Sequence, residues 1–126
     1  MANPSKAAIW YEKAANQGHE GAQNDLGLLY YQGRGVKVDG TKAVFWLEKA
    51  AAQNNLNAMV NLGVIYDEGK VLPGDPVLAM KWFVLAGKRG DEPSKADAQR
   101  LQQSMKPEQV QQALKLVQEF GVTPPS

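Results

Sequence analysis

Three tryptophans, Trp10, Trp46 and Trp82, stand 36 residues apart, and most of their surroundings recur at the same step. Ala7, Ala43 and Ala79 precede each tryptophan by three residues, and Ala14, Ala50 and Ala86 follow each by four. Asn3, Asp39 and Asp75 keep the step, as do the pairs Ala22/Ala58, Leu26/Leu62, Gly27/Gly63, Tyr30/Tyr66 and Gly33/Gly69. A fixed period of this length marks a chain built from stacked copies of one supersecondary unit. Such a chain buries its core between neighbouring copies and presents an extended surface, so recognition is expected before catalysis.

Each period holds two amphipathic helices. Around Trp46 the apolar residues are Ala43, Trp46, Leu47, Ala50 and Ala51, at the 0, 3, 4, 7, 8 spacing of one helical face. The alternate segment shows Ala22, Leu26, Leu29 and Tyr30, repeated as Ala58, Leu62, Ile65 and Tyr66. Asn3, Asp39 and Asp75 suit helix N-caps, with Pro4 and Pro76 at the first helical position. Gly18, Asn54 and Gly90 suit the left-handed residue after a helix, and Gly33, Gly35 and Gly69 break the alternate helix. The spacing predicts helices over 4–17, 20–32, 40–53, 57–68, 76–89, 94–105 and 107–120. The repeated tryptophans, flanked by alanines, are read as core.

The pattern lapses toward the C-terminus. Ala98, Gln99 and Gln102 stand where Leu62, Gly63 and Tyr66 stood one period earlier. The last helix carries Val110, Ala113, Leu114, Val117 and Phe120 on one face and glutamines and lysine on the other. A solenoid needs such a polar-backed end cap. The organisation expected is one repeat domain over 1–126. It divides into a half repeat at 3–19, repeats at 20–55 and 56–91, a degenerate half repeat with capping helix at 92–120, and a tail at 121–126. The fold class is all-α, a right-handed α–α superhelix of about seven helices.

Composition narrows the functional classes. Net charge is +1 with both signs scattered, so the basic cluster that neutralises a phosphate backbone is absent and nucleic acid is not an expected partner. No apolar run approaches a membrane span. Zero cysteines remove disulfides, cysteine–zinc sites and thiol nucleophiles. With no leader-like start, the chain reads as a soluble cytoplasmic protein. A periplasmic or secreted one is the alternative if a native N-terminus has been removed.

Two phrases in one frame carry a family resemblance. One is Ala22-Gln23-x-x-Leu26-Gly27-x-x-Tyr30-x-x-Gly33-x-Gly35-Val36-x-x-Asp39; the other is Lys42-Ala43-x-x-Trp46-x-x-Lys49-Ala50-Ala51. These resemble the Sel-one-like repeat family, relatives of the tetratricopeptide repeats with a longer unit. The resemblance covers residues 3 to about 93, with 94–120 resembling the family's helical end segment. Val71 in place of a loop glycine, Asn54 in place of glycine and Gly87 in place of alanine depart from the pattern and bear on loop shape. The chain opens on the second helix of a unit, so either it belongs to a longer array or the flank near Ile9 is covered, for instance by a homodimer.

A search for chemistry finds little. His19 is the one histidine and sits beside Gly18 in a turn, where a solvated residue is the expected reading. No phosphate-binding loop and no set of metal ligands stands out, so neither a cofactor nor a metal is expected. Asp67/Glu68 and Asp91/Glu92 are adjacent on their helices and diverge, which suits a solvated face better than an acid–base pair. Some cysteine-rich relatives are linked to penicillin binding or β-lactam hydrolysis. This chain has neither those cysteines nor a Ser-x-x-Lys motif, so that activity is not carried over.

The resemblance implies that the first helix of each pair lines the concave side. Positions outside the core stripe there are Asn24, Asp25, Leu28, Tyr31 and Gln32, matched one period later by Val60, Asn61, Val64, Asp67 and Glu68. These differ between copies, which is where a particular partner can be encoded. The expected function is a non-enzymatic adaptor or scaffold that binds a protein or peptide in this groove. The rivals are a hydrolase acting on cell-wall or β-lactam compounds, and a purely structural end of a longer array.

Overall fold

The structure, a computed structural model, describes residues 4–121. Seven helices of 13 residues each follow in order: α1 (Pro4–Asn16), α2 (Glu20–Gln32), α3 (Gly40–Ala52), α4 (Leu56–Glu68), α5 (Pro76–Lys88), α6 (Glu92–Ser104) and α7 (Pro107–Glu119). No strand occurs among the described residues. The expected ends agree to within one residue except at α6, which starts two residues early.

The cause of that early start is Asp91. Its Oδ2 accepts the Ser94 N–H at 3.1 Å and the Ser94 hydroxyl at 2.5 Å, and Pro93 fits in the first turn, where its missing N–H costs nothing. Asp91 closes a series spaced by the repeat. His19 Nδ1 accepts the Ala22 N–H at 3.2 Å, and Asn55 Oδ1 accepts the Ala58 N–H at 2.9 Å. The histidine read as a solvated turn residue is therefore the N-cap of α2. Asp39 and Asp75 cap α3 and α5 as expected, through Lys42 N–H at 3.0 Å and Leu78 N–H at 3.1 Å. Asn3 and the tail beyond Gly121 lie outside the described residues.

The turn after each second helix also repeats. Gly18, Asn54 and Gly90 have φ of 89°, 69° and 100°, the left-handed conformation that glycine and asparagine tolerate best. Arg89 donates a side-chain hydrogen bond to Asn54 Oδ1 and so bridges two of these turns. Val71 does not disturb its loop's closure. The Asp75 N–H still reaches the Tyr66 carbonyl at 3.0 Å, as the Asp39 N–H reaches that of Tyr30.

Helices α1 to α6 each pack on their sequence neighbours and α7 packs on α5, which makes the molecule an α/α solenoid. At two junctions a bulky side chain presses onto a glycine of the facing helix. A Cβ at Gly27 would lie 2.7 Å from Leu47 Cγ, and one at Gly63 would lie 2.6 Å from Phe83 Cε1. The main core gathers around Leu47, Met59, Leu62, Ile65 and Trp82, all nearly fully buried. Buried Gln23 stitches the first three helices. Its amide donates to the Ala15 carbonyl at 3.1 Å, and its oxygen accepts from Gln53 Nε2 at 2.8 Å. At the far end α7 lies chiefly against α5, burying Val110, Ala113 and Val117 and turning Gln111, Gln112 and Lys115 outward.

The tryptophans do not share one environment, contrary to the reading that all three are core. Trp82 is 3% exposed and meets Phe120 edge-on at 5.4 Å. Trp46 is half-buried beside Ala15, Ala22 and Leu26. Trp10 is 69% exposed, because α1 packs on α2 and no described helix covers its other side. Of the three, Trp82 alone is nearly fully buried. Replacing Trp82 with alanine should cost about 3–5 kcal/mol in chemical denaturation. Trp10→Ala should stay within about 0.5 kcal/mol of wild type. Equal losses at the two positions would contradict this packing.

Candidate binding face

The first helices of the successive units, α2, α4 and α6, lie side by side and share one face of the solenoid. Side chains from adjacent helices meet there in three rungs. Asn61 Nδ2 donates to Asn24 Oδ1 at 3.0 Å, and the Tyr31 hydroxyl donates to Glu68 Oε2 at 2.5 Å. Arg100 Nη2 donates to Asp67 Oδ2 at 2.6 Å and lies 3.5 Å from Asp97 Oδ1. Five of the ten groove residues named from sequence are thus engaged with a neighbouring helix. Asn24 is buried by its rung.

The other five stand between or beside the rungs. Leu28, Val60 and Val64 are half-buried and form an apolar floor, while Asp25 is half-buried and Gln32 is exposed. Val64 also packs against the core that includes Met80 and Phe83. Sequence reasoning missed Asp97 and Arg100. The 36-residue step reaches them directly, from Asn61 to Asp97 and from Val64 to Arg100. The absence of Tyr66 and Gly63 counterparts in α6 masks that correspondence.

The electrostatics of the face follow from its rungs. Partial burial, the hydrogen bond to Glu68 and the nearby carboxylate charge push the Tyr31 phenol up to about 12. The same hydrogen bond, assisted by Lys70 at 3.5 Å, draws Glu68 below the ordinary carboxylate range. On the opposite side, burial raises Glu48, while Lys81 beside it lowers it again in part. Burial lowers Lys81, whose ammonium lies 4.3 Å from the Trp82 ring centre.

None of these shifted groups lines any of the four best-formed hollows, and none of the ten groove residues does either. The candidate face is an open surface. Among the described residues no cluster of three or more histidine and carboxylate side chains could hold a metal ion. No described helix is long and apolar enough to cross a membrane.

The sequence profile described as Sel1 repeat matches residues 1–19, 21–55 and 56–91. The chain belongs to the Sel1 repeat family. Sel1 repeats are generally non-catalytic protein–protein interaction modules. The fold is similar to the crystal structure of c5321, a protective antigen present in uropathogenic Escherichia coli strains and displaying an SLR fold, at 34% identity and a TM-score of 0.85. It is also similar to a Sel1 repeat protein from Oxalobacter formigenes, at 33% identity and a TM-score of 0.69. These matches cover 94% and 96% of this chain but only 26% and 44% of the two proteins, so this Sel1 chain spans less than half the length of either. A search of curated proteins finds no match.

The Tyr31–Glu68 rung gives this Sel1 surface a titration signature. Tyr31 favours its neutral form in the folded state, so its contribution to stability is complete below the ordinary phenol range and lost as pH rises toward about 12. Glu68 contributes in the opposite direction, losing its share as pH falls through its lowered value. Ultraviolet phenolate absorbance should show one tyrosine ionising near 12. Tyr31→Phe should remove that component, and Glu68→Gln should move it toward the ordinary range.

Proposed function

We propose that this chain is an adaptor or scaffold module that binds an extended peptide of another protein along the α2–α4–α6 face. The observation that carries the reading is the form of the surface. An apolar floor of Leu28, Val60 and Val64 runs between polar rungs that link the first helices of three successive units. A bound strand of peptide would set alternate apolar side chains on that floor. Its backbone amides would meet Asn61 and Gln32, which can donate and accept. The rung to Asn24 fixes Asn61 before binding, so little ordering of that group is left to oppose association.

The test must spare the rungs, because cutting them would loosen the helices as well as the surface. Asp25→Arg combined with Gln32→Arg changes charge and shape at the edge of the floor and touches no rung. Co-purification from native cells should recover partners with wild type and lose them with this double variant, while circular dichroism of the two stays the same. Identical recovery with both proteins would reject the face as the binding site.

The exposed flank of α1 favours a second contact. Ile9 is 56% exposed beside Trp10, on a helix whose Ala7, Trp10 and Ala14 correspond to the covered or half-covered Ala43, Trp46 and Ala50 of α3. A second copy of the chain would cover this strip. Sedimentation should then show concentration-dependent dimers that Trp10→Glu abolishes, and a wild-type monomer at all concentrations would reject the homodimer.

A further inference from the structure

Where the repeat pattern lapses, the fold leaves a hollow of about 310 Å³ between α5, α6 and α7. Its floor is apolar: Met80 and Val84 from α5, Ala98 from α6 and Leu114 from α7. Lys88 and Lys95 stand at one end, Gln99 and Gln102 along the rim. This volume sits at the lower edge of the usual size for small-molecule sites, about 300 Å³ and upward.

The preceding unit shows what is missing. There Leu62 takes the position of Ala98, Tyr66 that of Gln102, and the Phe83 ring presses onto Gly63. One period after Phe83 the chain has Glu119, which is exposed, and α7 has turned onto α5. Only the half-buried Leu114 enters the space that an aromatic knob fills one unit earlier.

The charges at the hollow are also unequal. The aliphatic stem of Lys95 crosses Gly87, with Cγ 2.7 Å from where a Cβ would sit, and its ammonium pairs with Glu92 at 2.9 Å. Lys88 is exposed at the end of α5 and pairs with no described carboxylate. No acidic residue lines the hollow.

We propose that this hollow binds a small apolar carboxylate, an aromatic or branched aliphatic acid. Its side group takes the place of the missing knob against Met80, Val84 and Leu114, and Lys88 meets its carboxylate. Gln99 and Gln102 offer amide hydrogen bonds along the rim. The site is separate from the α2–α4–α6 face and does not depend on the function proposed for it.

The probe is 3-phenylpropionate, compared with its neutral amide and with an acetylated Gly-Gly-Phe tripeptide bearing a free C-terminus. Methyl resonances of Met80, Val84 and Leu114 should shift and saturate with the acid. The amide should bind about threefold more weakly, the scale of one solvent-exposed ion pair. Lys88→Glu should weaken the acid to a similar degree and Lys88→Arg should retain it; both changes lie at an exposed position. Gln102→Phe should fill the hollow from its rim and abolish the shifts. The proposal is overturned by absence of saturable shifts, by equal binding of acid and amide, or by shifts centred elsewhere. Tighter binding of the tripeptide than of the free acid would overturn the assignment to a small molecule.

Discussion

The stack depends on a close approach between helices that only a residue without a side chain permits. At Gly27 and Gly63 the knob of the facing helix, Leu47 or Phe83, sits where a Cβ would have to be. This contact fixes how near the two helices of a unit lie, and with it the burial of Leu26, Leu62 and the alanines around them. A larger residue at either glycine would force the pair apart or push the knob off its rotamer. Gln99 occupies the third such position, and there α7 turns away from α6 onto α5. The polar end and the hollow beside Leu114 are both products of that one substitution of contact.

The rungs across α2, α4 and α6 work at a different level. Exposed polar pairs add little to stability on their own, commonly well under about 1 kcal/mol. Their effect is positional: each links helices of successive units, so the spacing between units is held on the surface as well as in the core. Asn24 shows the distinction, being buried and satisfied by Asn61 while its equivalent Val60 contributes floor instead. One repeat position serves as a tie in one copy and as apolar surface in the next.

What could be read from the residues alone was what repeats locally. Helix ends follow from caps and left-handed turns at fixed intervals, and the start of α6 is set by Asp91, one period after Asn55 and two after His19. Burial of the tryptophans was not legible, since the same residue in the same local context acquires different neighbours at each place in the stack. The rungs were hidden for a related reason. They join residues 33 or 37 positions apart, across helices whose relative displacement no single helical stripe contains. The family resemblance pointed to the first helix of each pair, and the pairing between those helices required the packed structure.

The unequal burial of Trp10, Trp46 and Trp82 gives each unit its own optical environment. Indole emission depends on exposure to water, so the C-terminal unit should emit at shorter wavelength than the N-terminal half unit. In a molecule where each unit contacts only its neighbours, fraying can begin at one end and travel. Loss of structure confined to α1 would then redden the emission modestly, by uncovering Trp46 beside Ala15, whereas opening of the α5–α7 end would redden it strongly. The repeated residue that organises the stack therefore serves as a directional reporter, distinguishing which end of the array comes apart first.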